Sequence, residues 1–315
     1  MKKSNYPIWI PSLQKELYFK EVDSDQHRRI LKIINDLRDN EFSDLLNEII
    51  KENIEDDKFY KNLTVLDRFI IILYSRMYSF GDKIRLEKTC QKCGGKHVIQ
   101  IELPKIIDSL TPYIDRKFNK TLYIDDCYTI EADLPNIRHS DTIKKGFSNI
   151  SQHIDVNQNR FYSSFIKNIK IHDKIFESLS LRLDEMTEVM NCLPSAVADN
   201  LYKNFIKDIT NLFSELVIVD AACPTTSCAE KYQVSMRLDD LNTVCRILFS
   251  DDNLETFFMN IYNLSSAAHI PPNFLLNLSP LEVSMFTNFL RQENKQRHKN
   301  AGHDKNLFEG PSEFS

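Results

Sequence analysis

Two short cysteine pairs are the residues of this chain whose type and spacing could do chemistry. Two residues separate Cys90 from Cys93, and four separate Cys223 from Cys228. Pairs this close can each give two thiolates to one metal ion, and a structural zinc ion takes four such ligands. The sequence therefore predicts one structural zinc site made by all four cysteines.

Three other states of these cysteines stay open from the sequence. One is a set of reduced, metal-free thiols at two hairpin tips, another is a redox pair, and a third is two separate sites that use His97 or other ligands. A thioredoxin-like pair opens a helix after a strand. The first pair is followed instead by Gly94 and Gly95 and then by another strand-like run, which favours the metal hypothesis.

Similar elements surround the two pairs, which lie 133 to 135 residues apart. A helix-like apolar run from Thr64 to Ser79 and an alternating run from Lys83 to Thr89 precede the first pair. A helical stripe from Leu201 to Phe213 and a β-branched run from Leu216 to Ala222 precede the second. An alternating run follows each pair. The order predicts an α+β fold with two helix–β-hairpin units, each with a cysteine-bearing turn that we call a knuckle.

Four segments follow from this pattern. They are 1–110, with N-terminal strands, helices and the first knuckle; 111–195, a β-rich stretch and a mostly helical connector; 196–293, the second knuckle and C-terminal helices; and 294–315, a polar tail predicted to be disordered. Helix start signals lie at Asp23 with Gln26, at Thr64 with Asp67 and at Ser195, and the C-terminal helices have such signals at Asp252 with Glu255 and at Ser279 with Glu282.

Composition restricts the classes of function. Only six of 315 residues are glycine, well below the usual ~7%, so no glycine-rich phosphate loop is present. The net charge of −5 gives no electrostatic case for nucleic acid over a broad surface. The most hydrophobic run, Phe69 to Leu73, is too short to span a bilayer. Seven cysteines without a disulfide framework favour a reducing, cytoplasmic environment.

No residue set predicts catalysis or a small-molecule substrate. His139, Ser140 and Asp141 are adjacent in sequence, whereas a catalytic triad is assembled from separated positions. Cys127, Cys192 and Cys245 lie in apolar patterns, for which buried, inert thiols are expected. The chain is therefore predicted not to be an enzyme.

Four stretches together resemble the baseplate hub subunit, or hub assembly protein, family of T4-type contractile-tail bacteriophages. These stretches are Ile10–Lys20, with a Pro-Ser-x-x-Lys opening; Leu66–Ile84, with the family's Asp-to-Ser-x-Gly-Asp helix-to-strand pattern; Cys90–Ile106, with the first knuckle; and Leu278–Glu282, similar to a closing Ser-Pro-Phe-Glu helix. The resemblance covers residues 8 to 292. Leu281 replaces the family's aromatic residue, and the second knuckle is longer than a simple C-x2-C.

The resemblance implies a non-enzymatic structural or assembly component of the baseplate hub. Its partners would be other phage tail and baseplate proteins, and its location the virion tail baseplate or the host cytoplasm during assembly. A zinc-ribbon protein that binds nucleic acid is the alternative, because five basic residues gather near the first knuckle. They are Lys83, Arg85, Lys88, Lys92 and Lys96.

Overall fold

A computed structural model describes residues 5–306, apart from 39–40, 125, 140–141, 144–157, 179, 215–216, 226, 229, 238–239 and 251. The strands are β1 (Asn5–Ile10), β2 (Lys15–Lys20), β3 (Lys83–Thr89), β4 (Lys96–Glu102), β5 (Lys120–Tyr123), β6 (Tyr128–Ala132), β7 (Ile166–Ile171), β8 (Lys174–Glu177), β9 (Val217–Ala222) and β10 (Lys231–Met236). The helices are α1 (Ser24–Asn35), α2 (Phe42–Asn53), α3 (Val65–Phe80), α4 (Leu103–Ser109), α5 (Thr111–Ile114), α6 (Gln158–Ser163), α7 (Leu183–Asn191), α8 (Ser195–Leu201), α9 (Lys207–Ser214), α10 (Leu241–Leu248), α11 (Leu254–Ala267), α12 (Pro272–Leu276) and α13 (Pro280–Asn306).

The strands form small antiparallel sheets, and the predicted α+β class is confirmed. Three hairpins pair β1 with β2, β3 with β4, and β9 with β10, while β5 to β8 form a four-stranded sheet in sequence order. Helix α3 leads into the β3–β4 hairpin. Helices α8 and α9, joined by a π-helical turn at Tyr202–Ile206, lead into the β9–β10 hairpin. These are the two predicted helix–hairpin units.

The connector was predicted to be mostly helical, and this was wrong for β7 and β8. Ile166 and Ile169 are three residues apart, a spacing that also suits a helix face. Pairing with β6 decides the outcome, because Ile130 lies opposite Ile169 in the sheet and both are fully buried. His172, with a φ of 52°, closes the tight turn to β8.

Helix α3 is the most deeply buried helix of the N-terminal half, and its polar residues bond to its neighbours. Asp67 accepts from the Ser12 N–H at 3.2 Å and from the Thr64 N–H at 2.7 Å. Ser79 Oγ accepts from the Val22 N–H at 2.8 Å. Hydrogen bonds thus fix both ends of α3 against the N-terminal hairpin and the start of α1, and set where β3 begins.

Among the described residues, two apolar clusters fill the interior apart from the buried cysteines of the knuckles. The larger takes buried side chains from Tyr6 to Phe249, and so from all three segments that precede the predicted tail. The smaller joins Leu31 of α1 to the C-terminal helices through residues such as Leu264 and Leu275. Ser24 also joins α1 to the C-terminal helices, since its Oγ donates to the Leu278 carbonyl at 2.9 Å. The boundaries at 110, 195 and 293 remain predictions.

Three sequence-level helix starts are confirmed and two are wrong. Asp23 with Gln26, and Thr64 with Asp67, form reciprocal capping boxes. Ser279 and Glu282 bond in the same way. Asn253 caps α11 in place of Asp252. Ser195 is the first helical residue of α8, and Pro194 precedes it at the cap position.

The predicted disordered tail is wrong for residues 294–306. Helix α13 runs without a break from Pro280 to Asn306. A well-capped helix propagates at little cost through good helix formers, and Arg, Gln, Glu and Lys dominate residues 291–299. Polarity alone therefore did not end the helix. Residues 307–315 lie outside the described part.

Arg76 links α3 to α10, the helix that follows the second unit, and its replacement tests that link. Its Nε donates to the Leu248 carbonyl at 2.7 Å and its Nη1 to the Gly81 carbonyl at 3.0 Å. Arg76→Met leaves both carbonyls without this donor, so we expect a loss of about 2–4 kcal/mol in the free energy of unfolding by urea. Arg291→Met on the exposed surface of α13 should cost under ~0.5 kcal/mol. Equal losses of unfolding free energy in the two variants would contradict the role assigned to Arg76.

Candidate metal centre

The first knuckle is a tight turn between β3 and β4. The Cys90 N–H donates to the Gly95 carbonyl at 3.0 Å, and the Gly94 N–H donates to the Cys90 carbonyl at 2.9 Å. Gly94 has a φ of 71°, a left-handed conformation that favours glycine. The Gly94-Gly95 pair therefore lets the chain reverse within six residues while it carries both thiols.

The second knuckle closes by similar bonds between β9 and β10. The Cys223 N–H donates to the Glu230 carbonyl at 2.8 Å, and the Cys228 N–H donates to the Thr225 carbonyl at 2.8 Å. The backbone holds both cysteines in the turn, so two extra residues relative to the first knuckle do not carry the thiols away from each other.

The two knuckles face each other, and their four sulfur atoms form one cluster. Sγ of Cys90 lies 3.6 Å from Sγ of Cys228, and Sγ of Cys93 lies 3.7 Å from Sγ of Cys223. All four sulfur atoms lie within 4.8 Å of one another. Residues 130 and 138 positions apart thus meet at one point, as the sequence predicted.

The spacing of the sulfur atoms fits a tetrahedral metal ion. Zinc–sulfur bonds of about 2.3 Å place the corners of a tetrahedron about 3.8 Å apart, close to both short distances. The same distances are far longer than the ~2.05 Å of a disulfide bond, and all four thiols are free. Three of the cysteines are buried and Cys93 is exposed, so the cluster sits at the edge of the protein.

Backbone and side-chain donors favour thiolates at two of the four positions. The N–H groups of Cys93 and Lys92 lower the pKa of Cys90 to about 7. The hydroxyl and N–H of Thr225 lower the pKa of Cys223. Although the Glu230 N–H donates to Cys228, burial and the neighbouring sulfur atoms raise the pKa of that thiol to about 12. Four thiolates at this spacing repel one another, and a divalent cation between them would remove that repulsion.

The two knuckles also make contacts that the sequence did not reveal. The Lys92 ammonium lies 3.6 Å from the Glu230 carboxylate, across the two turns. A Cβ at Gly95 would lie 3.3 Å from Cys93 Sγ, a tight contact, and 3.5 Å from Thr225 Oγ1 of the second knuckle. The Gly-Gly pair was visible in the sequence, but its neighbour Thr225 was not predictable without the fold.

The other candidate residues lie elsewhere. His97 is not part of the sulfur cluster, and its Nδ1 lies 3.4 Å from the Gly95 carbonyl. Cys245 is buried as predicted, whereas Cys192 is exposed and Cys127 is half-buried, which corrects the expectation of buried thiols at both. His139 is described, but Ser140 and Asp141 lie outside the described residues.

Acidic side chains lie among the basic residues near the first knuckle, so the positive charge there is not continuous. Lys83 lies opposite Glu102 in the β3–β4 ladder, and Glu102 also pairs with Lys105 at 2.8 Å. Lys92 pairs with Glu230. A nucleic-acid surface needs clustered positive charge, so this mixed arrangement does not favour the zinc-ribbon alternative.

Fold and site together define an α+β protein with two facing cysteine knuckles. Residues 3–244 match the family model described as T4 bacteriophage base plate protein. The match covers 242 of the 315 residues and includes both knuckles, so the chain belongs to this family of phage baseplate structural proteins. Neither the curated proteins nor the solved structures gave a match. The match ends before Leu278–Glu282, where the resemblance remains a prediction.

Within the described part of the chain, none of the helices has the length and apolarity needed to cross a membrane.

The convergence of the knuckles predicts a specific cross-link. After removal of metal with a chelator, mild oxidation with diamide should form disulfides that join a first-knuckle cysteine to a second-knuckle cysteine, because their Sγ atoms are already 3.6 to 3.7 Å apart. Peptide mass spectrometry would identify the linked pairs. Cys192, which is exposed but not in the cluster, should stay unlinked to either knuckle. Links confined to within each knuckle would contradict the geometry.

Proposed function

We propose that this protein is a non-enzymatic structural or assembly component of the baseplate hub of a contractile phage tail. The family match over residues 3–244 carries the proposal, since that family is one of baseplate proteins. The protein would act through contacts with other tail and baseplate proteins. It would be located in the virion tail baseplate, or in the host cytoplasm while the tail is assembled.

We further propose that the sulfur cluster holds one structural zinc ion. Four protein ligands fill a tetrahedral zinc ion completely, whereas catalytic zinc keeps a position open for water or substrate. Zinc here would polarise no substrate and would serve as a cross-link between residues far apart in sequence. Its binding free energy would then contribute to the free energy of folding. A rigid scaffold of this kind suits a component of a large assembly.

The N-terminal hairpin is the first contact surface that we would assign to a hub partner. Ile8 and Ile10 point into the core, while Trp9 on β1 and Tyr18 on β2 are exposed at 42% and 48%. Trp9 pairs with Glu16, and Tyr18 pairs with Pro7, so both aromatic residues lie on the outer face of one hairpin. Exposed aromatic side chains on a rigid element are the kind of anchor that dominates protein interfaces.

Zinc content tests the metal proposal. Protein made without added metal should contain about one zinc ion per chain by elemental analysis. Cys90→Ser should lose most of this zinc and lower the unfolding midpoint by at least about 5 °C. Cys192→Ser removes an exposed thiol away from the cluster and should change neither quantity. Well-folded wild-type protein without zinc would refute the site and leave the baseplate role standing.

Co-purification from phage-infected cells tests the baseplate role. A tagged wild-type chain should retain other baseplate proteins, identified by mass spectrometry. The double variant Trp9→Ser, Tyr18→Ser should retain them at least about 10-fold less well, because an anchor of this type carries 2 kcal/mol or more.

The matched control is Ile175→Ser, which removes an exposed apolar side chain on β8 and should leave co-purification unchanged. Retention of host proteins alone would overturn the proposed function. Retention of baseplate proteins by all three chains would leave the function standing and exclude the N-terminal hairpin as the contact.

A further inference from the structure

The C-terminal helices carry an exposed apolar surface that the family match does not cover. Eight large apolar side chains on α11, α12 and α13 are between 39 and 66% exposed. They are Phe258, Met259, Tyr262, Phe274, Leu281, Met285, Phe286 and Phe289. We call this set the C-terminal apolar face.

These helices also have a second apolar side, which is buried in the protein. Phe257 and Ile261 of α11, Leu275 of α12 and Val283 of α13 pack in the small core with Leu31 of α1. Residues at 281, 285 and 289 recur every four positions, which places them on one further side of α13. A helix that is apolar on two sides is normally covered on both, and within the described residues only one side is covered.

The size of the face matches one half of a standard protein interface. With about 200 Å² for a large side chain, the exposed fractions amount to about 800 Å². A standard interface takes about 800 Å² from each partner. The helices that carry these side chains pack against one another, so their summed exposed area is large enough for one side of a stable dimer interface.

The chemistry of the face favours a second copy of the chain as its occupant. From Thr256 to Leu290 the sequence has one residue among Asp, Glu, Lys and Arg, namely Glu282. Its carboxylate accepts from the Ser279 N–H at 2.8 Å. A surface without charges does not repel its own copy and offers little for electrostatic selection of a different partner. Homodimer interfaces are the more apolar class.

We propose that the C-terminal apolar face is the interface of a symmetric homodimer. In a two-fold arrangement the same patch serves both copies, so α11 and α13 of each copy pack against α11 and α13 of the other. With the second copy in place, both apolar sides of these helices are covered in the described part of the chain. This inference does not depend on the zinc ion or on the hub role.

Sedimentation equilibrium of the purified full-length protein tests the proposal. Over a concentration range of about 0.5 to 50 μM, we expect a mass that rises to twice 36.9 kDa. Met285→Glu places a carboxylate in the middle of the face and should raise the dimer dissociation constant at least about 10-fold. The control Ile175→Glu, on exposed β8, should leave the constant unchanged.

Two further measurements keep the outcome decisive. If Met285→Glu fails to fold, Tyr262→Lys provides the second test. It lies at the most exposed position of the face and should also weaken the dimer. Hydrogen exchange should slow in residues 254–290 as the dimer forms. A monomer throughout the range would overturn the proposal, as would a dimer that neither variant weakens. Because the purified chain is measured alone, this failure would leave the baseplate role untouched.

Discussion

A helix buried in a protein core cannot leave its polar side chains without partners, and α3 shows how much follows from this constraint. Asp67 holds the turn of the N-terminal hairpin, Arg68 donates to Ser43 and Asn47 of α2, and Arg76 bonds the end of α10. An unpaired buried polar group costs about 1–3 kcal/mol. These bonds therefore fix α3 in one position among its neighbours. Strand β3, which leads to the first knuckle, begins soon after α3 ends.

The two knuckles meet because the elements that carry them share one core. Helix α3 precedes the first hairpin, α10 follows the second, and the Arg76 bond to Leu248 joins the two helices. Sulfur atoms 130 and 138 residues apart in sequence thus come within 4 Å of each other. Residues brought together over such a distance lose much chain entropy, and a shared zinc ion would offset part of that loss. The cluster suits a scaffold that must keep its shape within an assembly.

The C-terminal helices differ from the rest of the fold in how they are covered. They pack on α1 through a small core, yet leave Phe289, Met285 and Tyr262 exposed. They also lie beyond the matched family region. The family part and the C-terminal part could thus serve different contacts, one with other baseplate proteins and one between copies of the chain.

Interactions between residues close in sequence made much of the fold and the candidate metal ligands predictable from the sequence alone. Capping boxes at Asp23 and Thr64, the repeated helix–strand–knuckle–strand order and the four cysteines all depend on residues close in sequence, so the α+β class and the candidate ligands were predictable. Strands β7 and β8, the helical residues 294–306 and the exposure of Cys192 were not. Strand pairing is a contact with a distant segment, and exposure depends on what packs above a residue. Only the tertiary structure brought Thr225 beside Gly95 and left an apolar face uncovered, because both facts depend on the relative placement of whole elements.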